Sequence, residues 1–133
     1  STSNNPPNKP DIDGPIIGNV GISYIFIFTS TDIDQDNVKY FIDWGDGTTT
    51  NWTDFQASGD SYSEKHTFNV KGYYTIKAKA KDEFDAESNW STFEISIPRI
   101  KIGNILFLRL LSNSPVLFRF LQNIFQKFGI FLK

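Results

Sequence analysis

The sequence has 133 residues, no cysteine, a single histidine (His66), and 15 Asp and Glu against 13 Lys and Arg, a net charge of −2. That composition excludes disulfides, thiolate zinc sites and thiol nucleophiles, and leaves too little imidazole for a proton relay. It also argues against nucleic acid as the main partner, because phosphate binding needs a basic surface. With 39% hydrophobic and 21% charged residues, the chain is neither disordered nor a series of membrane spans.

In chain order, residues 1–18 form an extended N-terminal arm, with Pro6, Pro7, Pro10 and Pro15 set among Asn, Ser and Asp. Such a stretch favours extended backbone and builds no core, so it is a linker or a strand laid along a neighbour. No Met occurs, even at position 1. Removal of a leader peptide accounts for this and implies export to the cell surface or beyond; removal of an initiator Met alone is the blander account.

Residues 19–98 alternate as strands do. Ile22, Tyr24, Phe26 and Phe28 share one face, as do Val38, Tyr40, Ile42 and Trp44, then Tyr74, Ile76, Ala78 and Ala80, then Phe93, Ile95 and Ile97. Gly45-Asp46-Gly47, Ser58-Gly59-Asp60 and Lys71-Gly72 supply turn chemistry between them. About seven short strands at this spacing predict an all-β sandwich of two sheets, each with one apolar face to cover.

The segment Tyr40-Phe41-Ile42-Asp43-Trp44-Gly45-Asp46-Gly47-Thr48, followed by His66-Thr67-Phe68, Gly72-Tyr73-Tyr74 and Ile76, Ala78, Ala80 and Asp82, resembles the two-part signature of the polycystic-kidney-disease (PKD) domain, an Ig-like β-sandwich. The resemblance covers roughly residues 10–98. It implies an extracellular structural or adhesive module, often one of several in a longer protein, with Trp44, Asp46, Gly47, His66, Gly72 and Tyr74 as its fold signature. It implies no catalysis, and fold alone does not fix function. On physical grounds, Trp44 fills the space between sheets, Gly47 supplies a turn, and His66 is a structural hydrogen-bonder. Asp43 and Asp46 have no acid–base partner and read as turn residues, so no catalytic residue is assigned.

Alternating loop carboxylates can converge on a hard cation. Asp32, Asp34 and Asp36 lie in one loop of the sandwich, and Asp82 and Asp85 in a second loop at the same end, with Asp11 and Asp13 of the arm able to approach. Together they make a candidate Ca²⁺ site; an acidic loop capping its own backbone is the alternative. Asn51-Trp52-Thr53 and Asn89-Trp90-Ser91 are sequons, making Asn51 and Asn89 candidate glycosylation positions. Trp52, Phe55, Tyr62 and Tyr73 are candidates for a sugar-stacking platform.

Charge and hydropathy change near residue 99. The first hundred residues hold fifteen acids and eight bases, a net of −7, whereas residues 101–133 hold five bases and no acid, a net of +5. From Ile102 to Leu132, 18 of 31 residues are Ile, Leu, Val or Phe. Residues 99–133 read as a helical tail, with one short helix over 104–112 and a second begun by Ser114-Pro115. Leu106 and Leu110 in the first, and Leu117, Leu121, Ile124, Phe125 and Phe128 in the second, face a partner; charges and Pro115 interrupt any bilayer span.

The reading that follows is a non-enzymatic extracellular subunit that self-assembles, into a filament or pilus-like fibre, through its tail and arm. The alternative is a carbohydrate- or cell-surface-binding accessory module of a larger secreted protein. A third, docking of the tail on an anionic membrane, fits the tail's charge of +5 but not the breadth of its apolar surface.

Overall fold

The computed structural model describes residues 3–98. Their strands are β1 (Asp11–Asp13), β2 (Ser23–Thr29), β3 (Val38–Asp43), β4 (Thr49–Thr50), β5 (Ser61–Thr67), β6 (Gly72–Asp82) and β7 (Ser91–Ile97). One sheet has the order β1-β2-β5 and the other β4-β3-β6-β7, with every named pair antiparallel. The helices read over 104–112 and after Pro115, and the assembly residues Leu106, Leu110, Leu117, Leu121, Ile124, Phe125 and Phe128, lie outside the described residues.

Period-2 patterning sends alternate side chains to opposite faces of each sheet. Phe26 and Phe28 of β2 face Val38, Tyr40 and Ile42 of β3 and Ile76, Ala78 and Ala80 of β6, all fully buried. Trp44, at 2% exposure, sits among them with Phe26 at 5.4 Å and Phe28 at 6.2 Å between ring centroids. Each large aliphatic or aromatic side chain buried there contributes about 1.5–3 kcal/mol of transfer free energy. The buried Tyr40 hydroxyl accepts the Ser30 N–H at 2.8 Å, which satisfies a donor at the end of β2.

Two features depart from the periodicity. Strand β5 carries no apolar alternation, because its inward positions are Tyr62, Glu64 and His66; it is recognised only by its full pairing with β2. The N-terminal arm contributes β1, paired with β2 of the same chain, and Pro7 and Pro10 are buried. Further on, Ile17 bridges Ser96 in parallel and covers part of the β7 edge.

The segment after β4 follows β3 closely. Gln56 exchanges both backbone hydrogen bonds with Val38, at 2.7 and 2.8 Å, and Thr53 Oγ1 accepts the Tyr40 N–H at 3.0 Å. This tethering holds Trp52 over the outer face of the four-stranded sheet.

Candidate metal centre

Asp32 lies in the β2–β3 loop, two residues past Ser30, and Asp82 ends β6. Because β3 pairs with β6 in a register that sets Val38 opposite Asp82, the two loops meet at one end of the sandwich. Single carboxylate oxygens of Asp32, Asp36 and Asp82 lie within 4.8 Å of one another. Asp32 is 1% exposed and Asp82 is fully buried.

The hydrogen bonds divide the oxygens of this cluster into used and unused. Asp32 Oδ1 accepts the Asp34 N–H at 2.8 Å, while Asp82 Oδ1 accepts those of Phe84 and Ala86 at 2.9 and 3.0 Å. Asp82 Oδ2 accepts the Asn4 side-chain amide at 2.7 Å. Asp32 Oδ2 and Asp36 Oδ2 are buried with no hydrogen-bond partner. No ion pair among the described residues involves these three carboxylates. Burial, then the charges of Asp32, Asp82, Asp34 and Glu83, raise the Asp36 carboxyl above its ordinary range.

A buried carboxylate oxygen without a partner is costly, and three converging carboxylates repel one another. A hard divalent cation relieves both costs, and an all-oxygen donor set suits Ca²⁺. The residues therefore fit such an ion. Asp32, Asp36 and Asp82 would hold it, with Asn4 and Asp34 at the rim of an open pocket of about 440 Å³.

The sequence-derived set is corrected in two places. Asp85 stands apart, its side chain 86% exposed and 3.7 Å from the Lys81 ammonium. Asp34 turns its carboxylate to the arm, accepting Asn5 N–H at 2.7 Å. Asp11 and Asp13 are held in β1; the arm residue that reaches the cluster is Asn4, which no carboxylate pattern could flag.

Opposite this end, the turn after β3 is built by polar side chains. Asp43 Oδ1 accepts Gly45 N–H at 2.9 Å and Asp46 Oδ1 accepts Thr48 N–H at 3.0 Å. His66 stacks on Trp44 with centroids 4.2 Å apart, and its Nε2 meets Asp46 Oδ2 at 2.7 Å. Trp44 Nε1 donates to Thr50 Oγ1 at 2.9 Å. Tyr74 stacks on Phe68 at 4.5 Å, and Gly72 opens β6.

This geometry has a parallel among solved structures. The chain is 44% identical to the PKD domain of an M14-like peptidase from Thermoplasmatales archaeon SCGC AB-540-F20, covering 73% of this chain and all of that one at a TM-score of 0.71. The chain belongs to the PKD domain family. At 14% identity, the PKD domain of the human VPS10 domain-containing receptor SorCS2 shares the fold, with 73% of this chain and 78% of that one covered at a TM-score of 0.52. The CARDB domain of a Pyrococcus furiosus protein, solved in complex with di-metal ions, shares it too: 17% identity, 75% of this chain, all of that one, and a TM-score of 0.52. No protein-family model matches the sequence, and no curated protein matches it.

In this PKD domain the two sequons flank one surface. Asn51 follows β4 and Asn89 precedes β7, both exposed. The Trp at the centre of each sequon packs on Phe41: Trp52 at 5.7 Å and Trp90 at 6.1 Å between centroids. The anticipated aromatic platform is thus redrawn. Tyr62 stacks on Tyr40 at 6.0 Å and belongs to the sandwich interior, and Tyr73, 91% exposed, stands beside a separate shallow groove with Lys71 and Pro98. Phe41 and Trp90 take their places.

Proposed function

We propose that this PKD domain is a non-catalytic accessory module of a larger extracellular protein, and that Ca²⁺ held by Asp32, Asp36 and Asp82 fastens the N-terminal arm to its sandwich. The observation that supports the metal is the unpartnered, buried Asp32 Oδ2 in a cluster that brings single oxygens of Asp32, Asp36 and Asp82 within 4.8 Å of one another. The accessory role is supported by the 44% identical neighbour, which is the PKD domain of an M14-like peptidase. No helix among the described residues is long and apolar enough to cross a membrane.

The arm reaches the cluster through Asn4, and the next residues add Asn5 to Asp34 and Asn8 N–H to the Thr31 carbonyl at 2.9 Å. A cation between the loops strengthens the end of the sandwich on which this arm rests, stiffening the connection to whatever precedes it. Extracellular modules bind Ca²⁺ in the range of roughly 10⁻⁴–10⁻³ M, so a titration to about 10 mM is decisive. Saturation should raise the melting temperature by roughly 5–10 °C and be reversed by EDTA. An unchanged melt across that range, or an equal response in Asp32→Asn, defeats the metal reading.

A further inference from the structure

We propose that the outer face of the four-stranded sheet binds an acidic polysaccharide, with sugar rings stacked on Trp90 and Trp52 and carboxylates paired with Lys39 and Lys81. The proposal stands apart from the metal centre, which lies at one end of the sandwich.

Charge is the first argument. Residues 3–98 carry seven lysines and fifteen acids, a net of −8. Yet four of those lysines project from one sheet face: Lys39 of β3 and Lys77, Lys79 and Lys81 of β6. Lys39 and Lys81 sit directly opposite each other in the β3–β6 register. Like charges in that position destabilise a sheet, and an anion over the pair removes the penalty. Lys81 has only Asp85, at 3.7 Å and almost fully exposed, and Lys39 has no acidic partner among the described residues.

The aromatic rings are the second. Lys79 packs between Trp90 at 4.8 Å, Trp52 at 5.5 Å and Phe41 at 5.9 Å from its ammonium, and pairs with Glu87 at 2.9 Å. It is a positioning residue that holds the rings open as a shelf. Lys81 lies over Trp52 at 4.3 Å and Lys39 over Phe55 at 4.8 Å, so these two lysines are each paired with a ring face. Trp90 is 44% exposed and Phe55 43% exposed, large apolar surfaces to leave in water.

A groove completes the site. Trp90 also forms one wall of a polar cleft of about 320 Å³ with Lys9, Asp11, Ser91 and Thr92. Ring faces beside hydroxyl-bearing and charged side chains suit a hydroxyl-rich ligand better than an acidic peptide. The net charge of −8 over residues 3–98 disfavours duplex DNA, with one phosphate per about 1.7 Å of helix axis, more strongly than a chain with one carboxylate per sugar.

The test is a tryptophan-fluorescence titration of the full chain, in EDTA, against polygalacturonate, its fully methyl-esterified form and a single-stranded DNA oligonucleotide. EDTA removes calcium bridging by the polymer and separates the outcome from that at the metal centre. Trp90→Ala and Lys39→Gln, checked by circular dichroism, each keep the basic tail, so only face-dependent loss counts. The expected result is binding to polygalacturonate that weakens with salt, falls roughly tenfold in Trp90→Ala and several-fold in Lys39→Gln, and is much weaker for the ester. Absence of binding, equal binding of the ester or of DNA, or variants that bind as the wild type does would overturn it.

Discussion

His66 lies flat on Trp44, 2° from parallel, and in that position its Nε2 bonds Asp46, so one side chain closes the β3 turn against the core. His66→Ala removes stacking and hydrogen bond together and should cost about 1–3 kcal/mol, whereas His66→Phe keeps the stack and should lose about 1 kcal/mol. Urea unfolding at neutral pH separates them; equal losses would assign the whole effect to the hydrogen bond with Asp46.

The Asp46 carboxyl reports the same turn through acid sensitivity. Partial burial pushes it upward, but the Thr48 hydroxyl, His66 and the Thr48 N–H outweigh that and hold it below its ordinary range. A depressed carboxyl contributes stability above its unfolded value of about 4, and that contribution is lost as pH falls through the lower folded value. Asp46→Asn should therefore lack one component of acid destabilisation seen in unfolding curves between about pH 5 and 2. An unchanged acid slope in the variant places that component elsewhere.

Asp36 has the opposite sign. Its carboxyl is raised, so without cation the contribution of this group to stability is greatest below about pH 4 and falls as pH rises through its folded value. Asp36→Asn should melt higher than the wild type in EDTA at pH 7 and respond less to Ca²⁺. A lower melt in EDTA would mean that the carboxylates are not in conflict.

Gly45 and Gly47 both have positive φ, +78° and +90°, but their surroundings differ. A Cβ on Gly45 would lie 2.5 Å from the Thr75 carbonyl oxygen, whereas one on Gly47 meets nothing within 4 Å. Gly47→Ala should cost about 1–2 kcal/mol from the left-handed backbone alone, and Gly45→Ala clearly more, since backbone cannot move aside cheaply. Thermal melts that rank them equally would remove Thr75 from the account.

The tail, with 18 apolar residues in 31, carries the sequence-based expectation of self-association. Sedimentation velocity should show the full chain associating and a chain ending at residue 99 remaining monomeric. A shortened chain that still associates transfers the interface to the sandwich.

Much of the sandwich was legible because water imposes a simple rule on a two-faced sheet: alternate residues must be apolar. Phe26 and Phe28, Val38 to Ile42, Ile76 to Ala80 and Ile95 to Ile97 obey it, and they are the buried core. Turn chemistry at Gly45-Asp46-Gly47 was equally local, since positive φ at a glycine depends on its own backbone. Strand β5 escaped because its inward residues are polar or half-polar: Tyr62 donates to Glu64 within the strand, and His66 finds its partner in the distant Asp46.

The candidate sites divide along the same line. Loop carboxylates announced an acidic end, but selecting Asp32, Asp36 and Asp82, rejecting Asp85 and recruiting Asn4 required the register that sets Val38 opposite Asp82. The lysine and tryptophan face likewise unites residues from β3, the β4–β5 segment, β6 and the approach to β7. Hydropathy is a property of each residue and its near neighbours, so the sequence alone determined the apolar strands of the core and their buried faces, but not β5. Convergence of charges and rings depends on which strands lie side by side, and only the packed sandwich decided that.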